Sequence, residues 1–405
     1  MNAPLLSFEE AHRRLLARAD LTDGERVPLP EAVGRVLVEP KVVAAVDVPP
    51  FANSAMDGFA LRAADAPGVL RLAGEVIAGA AELPAVEAGT TVRIMTGAPM
   101  PPGADTVVPL EDATEADGTV TIPGSVAAGR HVRDAAHDTR AGDEICLPGA
   151  LTAARIGVLA SLGIGEVAVR RRPVVAILST GNELVGPGEA LGPGQIHDAN
   201  GAALTAAVVE AGGVPLLLTR QRDEAGPIEA ALTAAARDAD LLVASGGVSV
   251  GRHDYVRAVL EANGSLDFWR IAVQPGKPLA VGELAGATVI GLPGNPVSAL
   301  VTFELFVRPL IRAMVGLDGD GRVHVRATPT EPMAKDAARR AFLRVSAWRE
   351  NDEIRARPAG GQQSSQLRPL ADGNALLVVP EGADAAQPSR SYEAIMFEPL
   401  PEAGR

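Results

Sequence analysis

The sequence predicts a multidomain protein of α/β and β architecture, organised around a central, doubly wound α/β domain. Three observations point there. The chain has 405 residues, more than one hydrophobic core accommodates, so two to four domains are expected. Beyond Arg172, apolar runs rich in Val, Ile and Leu alternate with helix-like stretches, the pattern of parallel strands buried on both faces. On either side of that region the runs are short and divided by Pro and Gly, as in β-rich domains.

In chain order, Ser7-Phe-Glu-Glu10 fits a capping box, and Ala11, Leu15 and Leu16 continue an amphipathic helix. Short β-like runs follow from Val42 to Asp143, among them Val92–Met95, Thr106–Leu110 and Thr119–Ile122. The flanks, up to Pro40 and from Gly142 to Arg172, look more helical, so the β-rich domain is expected to be inserted into a split N-terminal one. The central strands are expected at Pro173–Leu178, Val214–Thr219, Leu241–Ala244, Leu266–Val273 and Thr288–Leu292. Helices are expected between them over Ala202–Ala211, Ile228–Arg237 and Tyr255–Ala262. After Gly316 the runs shorten again into a small C-terminal β domain. The expected division is 1–44 with 142–172, then 45–141, 173–317 and 318–405.

Composition narrows the class. No apolar run reaches transmembrane length, and Met1 to Asp20 carries acids and arginines where a signal peptide needs an apolar segment. A single cysteine, Cys146, cannot form an internal disulfide, and together these features predict a cytoplasmic protein without a membrane partner. The net charge of −13 argues against a nucleic-acid partner but permits an anionic ligand in a locally positive cleft. Lysine occurs only at Lys41, Lys277 and Lys335, which draws attention to Lys277 inside a glycine loop.

Four unusual loops are expected to follow four central strands: Ser179-Thr-Gly-Asn-Glu183, Ser245-Gly-Gly-Val-Ser-Val-Gly251, Gln274-Pro-Gly-Lys-Pro278 and Gly291-Leu-Pro-Gly-Asn-Pro296. The carboxyl ends of parallel strands share one edge, where ligands bind. Glycine lets backbone N–H groups approach a phosphate, and a following helix N-terminus adds partial positive charge. Acids accompany these loops: Glu183, Asp223 and Asp254. Each reads either as an oxygen ligand suited to Mg²⁺ or, for Asp254 and Asp223, as a helix cap. Asp198 and Asn200 read as caps of the helix starting near Gly201. The six histidines show no zinc spacing. In the last domain, Arg340-Ala-Phe-Leu-Arg344 and Gly361-Gln-Gln-Ser-Ser365 offer donors that can hold a tetrahedral oxyanion.

Asn53–Ala60, Met95–Asp105, Ser179–Leu184, Ser245–Asp254, Pro275–Pro278 and Gly291–Ser298 occur in this order, and the combination resembles the MoeA family of molybdenum insertases, to which the E domain of gephyrin belongs. The SGGVSVG and GLPGNPVS segments are also similar to smaller adenylyltransferases of the same pathway, but NSAMDGFA and the four-part layout separate the chain from them. The resemblance implies a central domain of molybdopterin-binding type and a Mg²⁺-dependent molybdenumtransferase, which converts adenylyl-molybdopterin and molybdate to molybdenum cofactor, AMP and water. It implies that Ser245, Gly246, Gly247, Ser249 and Gly251 face the phosphates, and that Glu183, Asp223 and Asp254 serve the metal or the cleavage, with Asp254 and Glu183 as metal ligands. Asp57, as a further catalytic residue, and Thr96 would line an opposite wall, Lys277, Arg344 and Ser365 would hold molybdate, and Pro275 and Gly276 would be further cofactor-binding residues. It also implies a homodimer whose cleft joins the β domain of one subunit to the α/β domain of the other, with an adenylyltransferase and molybdoenzyme acceptors as partners. Two departures stand out: Gln274 where many relatives have Lys, and Gln363-Ser-Ser365-Gln where the usual pattern is Gln-Gly-Ser-Gly.

Overall fold

The computed structural model describes residues 5–247 and 255–402. The chain divides into two compact units, Met1–Gly24 with Arg170–Arg405, and Glu25–Val169.

The larger unit begins with α1 (Phe8–Leu16), whose N-cap Ser7 accepts a hydrogen bond from the Glu10 amide, as a capping residue should. Its buried face, Ala11 and Leu15, joins the core of the α/β region, so this helix belongs with that region and not with the split domain in which the sequence places it. Amphipathicity shows that one face is covered but not what covers it.

The central elements are β1 (Val174–Ser179), α2 (Ala199–Glu210), β2 (Val214–Leu217), α3 (Ala225–Ala235), β3 (Leu241–Ser245), α4 (Tyr255–Asn263) and β4 (Ser265–Phe268). The short β5 (Val273–Gln274) follows, then β6 (Ala280–Leu284), β7 (Ala287–Leu292) and α5 (Pro296–Thr302). A π-helical stretch, Phe303–Val307, carries the chain from α5 into α6 (Arg308–Ala313). Six strands form one sheet in the order β2-β1-β3-β7-β6-β4. The pairs β1–β2, β1–β3 and β3–β7 are parallel, whereas β6–β7 and β4–β6 are antiparallel. The doubly wound core is thus present, but the fully parallel sheet expected from the sequence ends in an antiparallel edge. Apolar runs report burial and not strand direction. Val175, Ile177, Leu241, Val243 and Ile290 face one core, with Ala176, Leu178, Leu242, Ala244 and Val289 facing the other, the alternation a strand imposes.

The expected strand Leu266–Val273 is two pieces. β4 stays in the central sheet, while β5 pairs in parallel with β9 (Arg340–Glu350) of the C-terminal sheet. That second sheet also contains β8 (Val323–Pro329), β10 (Glu353–Pro358), β11 (Ala375–Val379) and β12 (Tyr392–Met396), in the order β5-β9-β10-β8-β12-β11. A further β9–β11 pairing closes it into a small barrel. Phe342, Leu376 and Ile395 from this barrel join the same core as α1 and the central sheet.

The smaller unit holds a six-stranded sheet, in the order Thr106–Pro109, Gly58–Leu61, Thr90–Ile94, Gly68–Val76, Thr119–Ile122 and Thr114–Ala116. The stretches on either side of it build a separate core from Val27, Leu29, Ala32 and Leu37 with Leu147, Leu151, Leu159 and Val167. Of the helical character expected in the 142–172 flank, one nine-residue helix forms, Ala153–Ser161.

Candidate functional site

Three loops leave adjacent parallel strands at one level. Ser179 ends β1 opposite Ser245, which ends β3 opposite Leu292 at the end of β7. The register therefore places Thr180, Gly246 and Pro293 side by side, and all three line a cavity of about 590 Å³. Backbone bonds fix the row: the Thr180 amide donates to the Ser245 carbonyl at 3.0 Å, and the Gly246 amide to the Leu292 carbonyl at 3.2 Å. Gly246 has φ +97°, and a Cβ there would lie 2.6 Å from the Thr180 carbonyl oxygen, so the loops close up only around glycine.

The N-terminus of α2 enters the same cavity. Asp198 caps it by accepting the Gly201 amide at 2.8 Å, as the sequence suggests. Asn200 does not cap. Its side-chain amide donates to the Ser245 hydroxyl and to the Gly294 carbonyl, each at 2.8 Å, and so ties three segments of the wall together. An asparagine beside a helix start reads as a cap, which hid this role. The buried hydroxyls of Ser179 and Thr180 have no hydrogen-bond partner among the described residues, so this wall keeps unused polar capacity, as a polar ligand site does.

Glu183 and Asp223 both line the cavity, and neither forms an ion pair among the described residues. No cluster of three His, Cys, Asp or Glu in a metal-holding arrangement occurs among the described residues. Two unpaired carboxylates at this cavity nevertheless fit Mg²⁺, which takes one or two carboxylates and completes its shell with phosphate oxygens and water. Ser249, Gly251 and Asp254 lie outside the described residues. Gly247 lines the cavity beside Gly246.

The fourth loop differs from expectation because β5 leaves the central sheet. Pro278 reaches the cavity, but Pro275, Gly276 and Lys277 are not among its lining residues. Gly276 is buried, and a Cβ there would lie 2.3 Å from the Thr302 methyl carbon. Gln274 points to the C-terminal barrel, where its side-chain oxygen accepts the Asp336 amide at 2.9 Å.

Arg344 is the second correction. It is 1 % exposed and does not line the cavity. Its guanidinium donates to the carbonyls of Gly361 at 2.8 Å and Gln363 at 3.3 Å, and burial lowers its proton affinity. The donor chemistry read from the sequence is real, but here it holds a loop. That loop carries Ser365 to the cavity wall.

Asp57 and Thr96 meet in the smaller unit. The Asp57 carboxylate accepts both the backbone amide and the hydroxyl of Thr96, each at 2.7 Å. The backbone bond and then the hydroxyl bond hold its pKa below the usual carboxylate value. Gly58 follows because a Cβ there would meet the Val108 carbonyl oxygen at 2.1 Å.

With this geometry, the sequence relationships are specific. Profiles of the MoeA N-terminal region (domain I and II), of a "Probable molybdopterin binding domain" and of the MoeA C-terminal region (domain IV) match residues 6–163, 176–313 and 326–393. Molybdopterin molybdenumtransferase 2 of Mycobacterium tuberculosis is 39% identical over 372 residues, covering 88% of this chain and 90% of that protein. The chain belongs to the MoeA family. Among its other MoeA relatives, the molybdopterin molybdenumtransferase of Haemophilus influenzae is 38% identical over 389 residues, covering 93% and 94% of the two chains. The crystal structure of a MoeA protein from Pyrococcus horikosii superposes with a TM-score of 0.83 at 31% identity, covering 98% of this chain and 100% of that one. The MoeA fold is therefore shared along the whole chain, and the curated MoeA relatives are named as transferases, that is, as enzymes.

Proposed function

We propose that this chain is a molybdenum insertase that converts adenylyl-molybdopterin and molybdate to molybdenum cofactor, AMP and water. The observation that carries the reading is the convergence at one cavity of three glycine-containing strand-end loops, two unpaired acids and Ser365 from the barrel. In this reading the Gly247 amide and the hydroxyls of Ser179, Thr180 and Ser245 bind the pterin-nucleotide phosphates, with Gly246 supplying the close approach that a side chain would block. Mg²⁺, held by Glu183 with Asp223 and Asp254, would neutralise phosphate charge during cleavage. Asn200 orients the Ser245 hydroxyl. Ser365 faces the second anion, and Lys277, one residue from Pro278 on the cavity wall, supplies positive charge from the rim. Arg344 acts indirectly, by fixing the loop that carries Ser365. Asp57, its pKa depressed by Thr96, is anionic at neutral pH and is included as a further catalytic carboxylate, acting through its negative charge.

A homodimer, an adenylyltransferase donor and molybdoenzyme acceptors complete the proposal. It includes a cytoplasmic location, and no described helix is long and apolar enough to cross a membrane. The deciding assay is anaerobic: AMP released from adenylyl-molybdopterin, measured with and without molybdate. Molybdate-dependent AMP release is expected. Pyrophosphate release from ATP instead would make the chain an adenylyltransferase.

A further inference from the structure

Asn295 stands in the N-cap position of α5, yet its side chain makes no capping bond to that helix. Its amide donates instead to the Ser364 hydroxyl at 2.9 Å. The helix end is served from the barrel: the Val297 amide donates to the Ser364 carbonyl at 3.2 Å. One residue of the C-terminal loop thus provides both acceptors, one from its side chain and one from its backbone. Asn295 itself lines the cavity, as does Ser365, the next residue after Ser364.

The rest of the loop is anchored within the barrel. Gln362 pairs with the Arg344 backbone like a strand neighbour, accepting its amide at 3.0 Å and donating to its carbonyl at 2.9 Å. Arg344 holds the carbonyls of Gly361 and Gln363 from below. These bonds fix the base of the loop to the barrel. The contact that fixes its tip to the cavity wall is Ser364 with Asn295 and Val297. Position 364 is also one of the two, with 366, at which this sequence departs from the Gln-Gly-Ser-Gly pattern, and a glycine there would have no hydroxyl for Asn295.

We infer that Ser364 is a positioning residue. Its hydroxyl clasps Asn295 and thereby sets Ser365 at the cavity wall, which tunes use of the second, oxyanionic substrate while leaving the loop after β3 untouched. This rests on the insertase reading for the identity of that anion, but the clasp itself does not.

The experiment compares wild type, Ser364→Ala, Asn295→Ala and the double variant by two readouts. In hydrogen–deuterium exchange of the intact protein, Ser364→Ala should speed exchange across 360–366 while leaving 241–247 unchanged. In AMP release, the molybdate concentration for half-maximal rate should rise about fivefold, the scale of one lost hydrogen bond. The maximal rate and the affinity for adenylyl-molybdopterin should each stay within about twofold. The double variant should be no worse in molybdate dependence than Asn295→Ala alone, as expected for two ends of one bond. Unchanged exchange in Ser364→Ala overturns the clasp. Faster exchange with unchanged molybdate dependence overturns the positioning role. If wild type releases no AMP, the insertase reading fails, and exchange alone decides the clasp.

Discussion

Asn200 holds Ser245 by donating its side-chain amide to the serine hydroxyl at 2.8 Å, with the Gly294 carbonyl as its second acceptor at the same distance. This bracket joins the N-terminus of α2 to the loops after β3 and β7. Asn200→Asp removes the donors and places a carboxylate against the Gly294 carbonyl. We expect a loss of about 1–3 kcal/mol of stability in urea unfolding and at least a tenfold weaker affinity for adenylyl-molybdopterin by calorimetry. Affinity at the wild-type level would show that the bracket does not shape the phosphate wall.

Two glycines of the cavity should respond differently to a methyl group. Gly246→Ala meets the Thr180 carbonyl at 2.6 Å in a left-handed conformation, whereas the nearest atom to a Cβ on Gly294 is the Gly246 Cα at 3.6 Å. The first substitution should destabilise by about 1–3 kcal/mol, and the second should stay within about 0.5 kcal/mol. Denaturant midpoints measured side by side separate them. Equal losses would mean that the loop relaxes around either methyl.

Thr96→Val removes the hydroxyl bond to Asp57 but keeps the backbone one. The Asp57 carboxylate should then titrate at higher pH by NMR, though still below the ordinary aspartate value, because the backbone bond remains the larger influence. The sign for stability follows. A depressed folded pKa contributes stability above the unfolded value of about 3.9, lost as pH falls through the folded value. Thr96→Val should narrow that acid window. An unmoved titration would exclude the hydroxyl as a cause.

His324 sits between Glu393 at 2.6 Å and Asp320 at 3.0 Å. Burial opposes its charge, but the two carboxylates outweigh this and raise its pKa. Its contribution to stability is therefore complete below about pH 6.5 and is lost as pH rises through the raised folded value. His12, whose pKa burial lowers, acts in the opposite direction on the acid side. His324→Gln should flatten the decline in urea midpoint as pH rises above about 6.5. A decline as steep as in wild type would assign it to another group.

Lys277→Ala should raise the molybdate requirement, because the rim loses its positive charge. Gln274→Lys should not lower it. The Gln274 side chain is engaged with the Asp336 amide on the barrel, so a lysine there would break that bond instead of adding a cation to the cavity. Initial rates across a molybdate series for both variants provide the check, and a lowered requirement in Gln274→Lys would place the side chain at the anion.

Much of this architecture was legible because glycine chemistry and strand periodicity are local. The loops after Ser179, Ser245 and Leu292 announced themselves by residues needed where backbones approach, and the capping roles of Ser7 and Asp198 followed from short-range rules. Non-local matters were not legible. Nothing in Leu266–Val273 signals that the strand breaks and its end joins another sheet, and nothing in Arg344 distinguishes a guanidinium facing an anion from one buried under a loop. Asn295 stands at the N-cap of α5 and Asn200 in the first turn of α2, where an asparagine reads as a cap, and both side chains reach elsewhere. The deciding partners, Ser245 and Ser364, lie 45 and 69 residues away.

The continuous core shared by α1, the central sheet and the barrel limits how such a gene can be cut. A chain ended at residue 317 would keep every strand-end loop yet lose Phe342, Leu376 and Ile395 from its interior, baring apolar surface and the unpaired edge at Val273–Gln274. Such an exposed edge is a template for aggregation. Premature stops in the last quarter should therefore behave as complete nulls, and a recombinant fragment of the α/β region should need solubilising substitutions before it could be handled alone.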